Sequence, residues 1–199
     1  MDQSFQSLTY RLAINSDYES ISQLVNEAYR GESSRQGWTN EDEFFEGQRI
    51  NPDILTQMMA TDGSVVLIFF EQDSKILIGC VSLQDFTIAE NIRIGCCIPL
   101  QHDNKVKSAY LAMLTVRPDL QRRGYGKFII SVAEKFVRQQ WNIQLIELSV
   151  LSKRQELIAY YIRRGYTDTG RRQQFSSHDN RFGIPKTDCL EYCILTKFI

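Results

Sequence analysis

The 199-residue sequence has few of the features that identify a protein class at a glance. Its longest purely apolar run, Val65 to Phe70, is far too short to cross a bilayer, and its polar N-terminus lacks a signal-peptide pattern. The net charge is −1 and no long basic run occurs, so nothing indicates binding to nucleic acid or to an anionic membrane. We therefore expect a cytoplasmic protein that folds as a single domain over residues 1–199.

Cysteine and histidine are also few, and their spacing does not match that of disulfide-rich, metal-binding or catalytic-thiol sites. The five cysteines are Cys80, Cys96, Cys97, Cys189 and Cys193. They contain no Cys-x-x-Cys pair, and the two histidines, His102 and His178, lie in polar, loop-like stretches. The sequence therefore predicts no disulfide framework, no metal site and no catalytic thiol.

Apolar periodicity predicts strands and helices in alternation along the chain. We expect strands over residues 9–13, 64–71, 75–86, 109–116, 143–151 and 189–198, with another beginning at Tyr166. We expect helices over residues 17–30 and 154–164. Two more are expected, one that begins at Pro52 and one that follows the strand over residues 109–116 and ends near Gln140. A short acidic helix is predicted through residues 41–46, and residues 87–108 have no clear assignment.

The most informative stretch runs from Ala109 to Gln140. An apolar strand leads into a glycine-containing turn, and an amphipathic helix follows. Gly124 and Gly126 let the backbone approach a bound group closely, and the first N–H groups of the helix have no partner within it. The cationic side chains in this turn are Arg122, Arg123 and Lys127. A helix start with this surrounding charge suits a pyrophosphate better than a neutral ligand.

This stretch resembles the acetyl-CoA-binding signature of the GNAT superfamily of N-acetyltransferases, whose core is Gln/Arg-x-x-Gly-x-Gly/Ala. The matching segments here are Leu114 to Pro118 and Gln121 to Gly126. The order of predicted elements also resembles the whole family arrangement. The resemblance implies an α/β (α+β) fold with a mixed, mostly antiparallel central sheet of about seven strands, flanked by helices.

The resemblance further implies that acetyl-CoA is the co-substrate. Main-chain groups of the central strand would pair with its pantetheine arm, and N–H groups of the turn would hold its pyrophosphate. The residues expected to bind it are Leu114, Thr115, Val116, Gln121, Arg122, Arg123, Gly124, Tyr125, Gly126 and Lys127.

A second matching segment runs from Ala159 to Tyr166 and resembles the family's Tyr-x-x-x-Gly-Phe/Tyr pattern. It implies that Tyr161, on the inward stripe of its helix, donates a proton to the departing CoA thiolate. The alternative is that Tyr161 is only a core tyrosine packed against Leu157 and Ile158. The family often has an asparagine at the start of this helix. It is absent here, and the chain has Ser152, Lys153 and Arg154 instead.

The group that accepts the amine proton is less clear. Some family members use a glutamate early in the central strand, but the corresponding position here is Tyr110. Glu147 is our candidate because the neighbouring strand turns polar near it, and the alternative is a solvated strand carboxylate. Trp38 and Glu43 are our candidates for acceptor binding, since an acidic, aromatic rim would attract a cationic amine.

The leading hypothesis is therefore an enzyme, an acetyl-CoA-dependent N-acetyltransferase that acts through a direct ternary complex. Its acceptor is expected to be an amine on a small molecule or a protein. The alternatives are a non-catalytic CoA-binding regulatory or interaction module and a transferase for longer acyl chains. The oligomeric state stays open, with a homodimer among its alternatives.

Overall fold

The computed structural model describes residues 8–72, 74–88, 107–175, 180–187 and 190–199. The strands are β1 (Leu8–Leu12), β2 (Phe45–Glu46), β3 (Ser64–Glu71), β4 (Leu77–Asp85), β5 (Ser108–Val116), β6 (Leu145–Leu151), β7 (Thr167–Gln174), β8 (Ile184–Pro185) and β9 (Glu191–Phe198). The α-helices are α1 (Tyr18–Tyr29), α2 (Gly31–Ser34), α3 (Pro52–Met59), α4 (Tyr125–Trp141) and α5 (Gln155–Ile162).

Seven of these strands form one sheet in the order β1-β3-β4-β5-β6-β9-β7, and β2 pairs with β8 in a separate ribbon. Within the seven-stranded sheet, β5 and β6 run parallel and the other neighbouring pairs run antiparallel. The predicted fold class, a mostly antiparallel sheet of seven strands flanked by helices, is confirmed.

Helices cover both faces of the sheet, as the alternation along β3 shows. Leu67 and Phe69 join the core cluster that contains the apolar face of α4, whereas Val66 and Ile68 join the cluster under α1 and α3. Adjacent side chains of a strand point to opposite faces, so a strand buried on both sides reads as a continuous apolar run. The run from Val65 to Phe70 is therefore part of an interior strand of the sheet, covered by helices on both faces.

Most predicted elements agree with the structure to within a few residues. The hairpin of β3 and β4 is confirmed, and α3 begins where the sequence places it, because the Asn51 side chain accepts a hydrogen bond from the Ile54 N–H at 2.9 Å. Residues 96, 97, 102, 178 and 189, which carry three of the cysteines and both histidines, lie outside the described residues. Cys80 and Cys193 are buried free thiols.

The acidic helix predicted through residues 41–46 is wrong. The chain makes a turn there and then forms β2, which pairs with Ile184 and Pro185. Phe44 and Phe45 are both buried, in a cluster with Leu151 and Leu190. Burial of two adjacent aromatic rings and pairing with β8 outweigh a helix that is too short to be stable alone.

None of the helices in the described part of the chain is long and apolar enough to span a membrane.

Candidate active site

A cleft opens in the middle of the sheet because β5 and β6 pair over only part of their length. The parallel register joins Ser108–Tyr110 to Leu145–Glu147 and ends there. Met113 adopts a left-handed φ of 53°, and the register between β4 and β5 shifts beside it, which marks a β-bulge in β5. Beyond the last parallel pair, the two strands flank a small cavity of about 80 Å³.

The bulge also decides which backbone groups of β5 face this cleft. Arg117 donates its N–H to the Ile78 carbonyl at 2.9 Å, so the alternation of a strand directs Thr115 towards β4. Leu114 and Val116 then direct their N–H and C=O groups away from β4. The Leu114 carbonyl accepts a hydrogen bond from the Tyr29 hydroxyl at 2.6 Å. The backbone groups of Leu114 and Val116 are therefore those that can pair with a bound chain.

A larger cavity of about 600 Å³ continues from the cleft towards the start of α4. Of the ten residues predicted to bind acetyl-CoA, seven line it, namely Leu114, Val116, Gln121, Arg122, Gly124, Gly126 and Lys127. The other three are Thr115, which is fully buried towards β4, and Arg123 and Tyr125, which belong to the same turn without lining the cavity.

The turn before α4 has the backbone shape of an anion site. Arg122 and Gly124 both have left-handed φ values, 65° and 87°, and Gly124 stands at the N-cap of α4. Alternating backbone conformations of this kind turn successive N–H groups inwards, towards the positive end of the helix dipole. A Cβ at Gly126 would lie 2.7 Å from the Tyr160 hydroxyl, so a side chain there would require Tyr160 to move.

Charge in the large cavity agrees with a polyanionic ligand such as CoA. Arg122, Lys127, Arg163 and Arg164 line it. The only carboxylate among its described lining residues is Glu156, which accepts a short hydrogen bond from the Arg154 guanidinium. The residues present therefore fit the group that the sequence motif implies.

Tyr161 lies where the large and small cavities meet, since it lines both. Its ring packs edge-on against Tyr160 and Tyr166, with centroids 5.4 and 5.5 Å away. Burial raises the pKa of Tyr161 well above its usual value, so the hydroxyl keeps its proton at neutral pH. Tyr161 is therefore a core residue by packing, and its protonated side chain also lines both cavities.

Tyr29 was not singled out from the sequence, yet it lines both cavities. Its hydroxyl fixes the Leu114 carbonyl, and burial raises its pKa above the usual tyrosine value. In the sequence it is one more apolar position on the stripe of α1. Only the bulge in β5, which turns the Leu114 carbonyl outwards, gives it a partner.

A short segment, residues 37–40, crosses between the phosphate turn and the start of α5, and we call it the strap. Gln121 accepts a hydrogen bond from the Trp38 N–H at 2.8 Å and donates to the Thr39 hydroxyl at 3.0 Å. From the other side, the Arg154 guanidinium donates to the carbonyls of Trp38 at 2.5 Å and Asn40 at 2.9 Å. Arg154, 7% exposed, thus fixes the strap from the start of the helix at which the family asparagine is absent.

Trp38 and Glu43 come together, as both line an outer cavity of about 650 Å³ beyond the strap. Trp38 also lines the large cavity, so its ring stands between the two. The lining is not the acidic rim expected from the sequence. Basic side chains accompany the acidic ones there, with Arg35, Lys153, Arg154 and Lys186 beside Asp42, Glu43 and Glu156.

Glu147 lines neither the large nor the small cavity, so it does not lie beside Tyr161 in the candidate site. Its side chain is 2% exposed and forms an ion pair with Arg171, and its second oxygen finds no hydrogen-bond partner among the described residues. Tyr110 is its register partner on β5 and does line the small cavity. The Tyr110 hydroxyl lies 2.5 Å from that of Ser149, another lining residue.

Comparison with solved structures finds the same fold in known acetyltransferases. The spermidine/spermine N-acetyltransferase SpeG from Vibrio cholerae superimposes with a TM-score of 0.60 and 17% identity, covering 96% of this chain and 92% of that one. An acetyltransferase of the GNAT family from Streptococcus pneumoniae gives a TM-score of 0.60 and 14% identity, covering 96% of this chain and 99% of that one.

Comparison of the sequence with curated proteins finds no match. In contrast, the sequence model of the acetyltransferase (GNAT) family matches residues 19–166. This match spans most of the chain, and it contains the bulged strand, the phosphate turn and Tyr161. The chain belongs to the GNAT acetyltransferase family.

Proposed function

We propose that this protein is an N-acetyltransferase that moves the acetyl group of acetyl-CoA directly to an amine in a ternary complex. The observation that carries the proposal is the junction at Tyr161. There the large cavity, with its phosphate turn, meets the small cavity on the other side of the opened sheet. Two substrates can therefore reach one point from opposite sides, which direct transfer requires.

The donor half of this site rests on β5 and the start of α4. Acetyl-CoA supplies an activated thioester when it is bound. The turn from Arg122 to Lys127 offers N–H groups and cations to its pyrophosphate, and Leu114 and Val116 offer strand-like backbone pairing to its pantetheine arm. A backbone N–H in this cleft also stabilises negative charge on the carbonyl oxygen, a contribution worth roughly 3 kcal/mol per donor.

The transfer makes a carbon–nitrogen bond and breaks a carbon–sulfur bond. The attacking amine must lose one proton, and the departing sulfur must gain one. Tyr161 donates a proton or a hydrogen bond to the sulfur, because burial keeps its hydroxyl protonated at the junction. Solvent then restores the proton on Tyr161 after the products leave.

For the amine proton, we propose Glu147 as the final acceptor. It does not touch the cavity, and no hydroxyl of the described residues lies within hydrogen-bond distance of its unpartnered oxygen, so the proton must reach it through water from the Tyr110 and Ser149 hydroxyls, which do line the small cavity. Tyr110 and Glu147 are neighbours across the last parallel pair of β5 and β6. The unpartnered oxygen of Glu147 supplies the lone pair that receives the proton.

The acceptor is an amine, and we propose that Trp38 and Glu43 contribute to its binding from the outer cavity, which shares Arg154 with the small cavity. The Vibrio cholerae neighbour is a spermidine/spermine N-acetyltransferase, which supports this substrate class. The mixed charges around the outer cavity favour an acceptor that is not purely cationic.

The direct test is to incubate the purified protein with acetyl-CoA and a panel of amines, and to measure both free CoA thiol and N-acetylated product. Parallel reactions with propionyl- and butyryl-CoA separate acetyl transfer from transfer of longer chains. Gly124→Glu, which blocks the phosphate turn, is the negative control. Tight CoA binding without turnover on any amine would instead identify a CoA-binding module.

A further inference from the structure

The large cavity holds more positive charge than a pyrophosphate needs. Two of its cations lie at the start of α4: Arg122 in the loop that precedes the helix, and Lys127 in its first helical turn. A second pair, Arg163 and Arg164, follows the end of α5. Within the described residues, none of these four side chains forms an ion pair with a carboxylate. Uncompensated charge on two separate elements indicates two anionic groups on the ligand.

The two cation pairs line the same cavity. Tyr160 connects them, because its hydroxyl reaches the position where a Cβ at Gly126 would stand, while its ring carries the Arg164 guanidinium 3.3 Å above its centre. The second pair is therefore one aromatic ring away from the phosphate cradle. A phosphate bound there would be a near neighbour of the pyrophosphate and a separate group.

We propose that Arg163 and Arg164 form a subsite for the 3′-phosphate on the ribose of CoA, which rests on the proposed use of acetyl-CoA. CoA carries this phosphate monoester in addition to its pyrophosphate, so its charge calls for two anion sites. The pyrophosphate fits the backbone cradle at the start of α4. The monoester fits guanidinium groups, which bind phosphate oxygens through paired N–H donors.

Arg164 is held ready for such a ligand. It stacks on Tyr160, and its Nη1 donates to the Tyr160 carbonyl at 2.8 Å. Its Nε is buried and has no hydrogen-bond partner in the described part of the chain. Arg163, which is exposed, can approach the same phosphate from solvent. The C-terminal end of α5 presents carbonyls and a negative dipole, so phosphate binding there depends on these side chains.

The test compares the binding of CoA and 3′-dephospho-CoA by isothermal titration calorimetry, with no acceptor present. We expect the wild-type protein to bind CoA on the order of ten-fold more tightly, as for one charged hydrogen-bonded contact. Arg163→Ala should remove most of this preference by weakening CoA binding, while affinity for 3′-dephospho-CoA stays unchanged. Arg164→Lys, which keeps the charge and loses the stacked planar group, should reduce the preference in part.

Arg138→Ala is the matched control, because Arg138 is an exposed arginine in the last turn of α4 and does not line the cavity. It should leave both affinities unchanged. Equal wild-type affinity for the two ligands would overturn the subsite and leave the proposed function standing. An Arg163→Ala variant that loses affinity equally for both ligands would also overturn it. Absence of binding of either ligand to the wild-type protein would overturn the proposed function itself.

Discussion

Replacing Tyr161 with phenylalanine removes one hydroxyl from the junction of the two cavities and leaves the ring in place. The ring is what packs against Tyr160 and Tyr166, so the core around it keeps its contacts. Cofactor affinity should therefore stay near the wild-type value. The loss should fall on the step in which the sulfur leaves.

The size of this loss follows from the role of the hydroxyl. Burial raises the pKa of Tyr161, so wild-type enzyme carries the proton at every pH where such an enzyme is assayed. A positioned general acid contributes roughly 10² to 10⁴-fold in rate, equivalent to about 3 to 5 kcal/mol of transition-state stabilisation. We expect kcat to fall by at least about 100-fold in Tyr161→Phe.

The assay is steady-state release of CoA with the best amine found for the wild-type protein. Tyr166→Phe is the matched control, since Tyr166 belongs to the same ring cluster, lines neither the large nor the small cavity, and has a buried hydroxyl without a partner among the described residues. Removing that hydroxyl costs no hydrogen bond, so turnover should be unchanged.

A second donor separates proton donation from other roles. An activated aryl thioester has a thiolate that leaves without a proton, so the gap between wild type and Tyr161→Phe should narrow with it. If the Tyr161→Phe variant turned over acetyl-CoA at the wild-type rate, the catalytic assignment would be refuted and Tyr161 would be a packing residue. An equal loss with both donors would show that the hydroxyl acts at another step.

Three further predictions concern the rest of the site. Gly124→Glu should abolish CoA binding in calorimetry, because a side chain at φ 87° and an added negative charge both oppose an anion there, and retained affinity would contradict the pyrophosphate site. Arg154→Lys, made in a Trp141→Phe background so that Trp38 alone fluoresces, should expose Trp38 to acrylamide quenching. Unchanged quenching would show that the strap does not depend on Arg154. Burial raises the pKa of Tyr29, Tyr161 and Tyr166 above their usual value, and that of Cys80 to about 12. The stability from these neutral groups is complete below their unfolded-state pKa values, about 8.5 for the thiol and about 10 for the phenols, and is lost as pH rises above them. The urea midpoint should therefore fall between about pH 8 and pH 11, and a constant midpoint would contradict this assignment.

Sequence patterns predict the donor half of the site well because its information is local. The turn from Gln121 to Lys127, the strand before it and the helix after it are adjacent in the chain, and each follows from its own residues. Glycine at position 124 permits the left-handed backbone of this turn directly. The same holds for the hairpin of β3 and β4, whose two apolar runs are separated by one short polar segment.

The bulge at Met113 could not be predicted in this way. Methionine does not favour a left-handed φ, and the strand around it reads as an ordinary apolar run. The conformation is imposed by pairing with β4 on one side and parting from β6 on the other. Tyr29 and Arg154 were missed for the same reason, since their partners lie 85 residues away at Leu114 and 116 residues away at Trp38.

The two departures from the family pattern both lie away from the donor turn. Arg154 lies at the helix start where the family asparagine is absent and holds the strap, and Tyr110 stands at the position of the family glutamate and contacts Ser149. The strap also bonds to Gln121 of the phosphate motif, so its Trp38 ring is fixed from the donor side and the α5 side together. If the proposed amine binds beside Trp38, then Gln121 and Arg154 together set the position of the ring that it contacts.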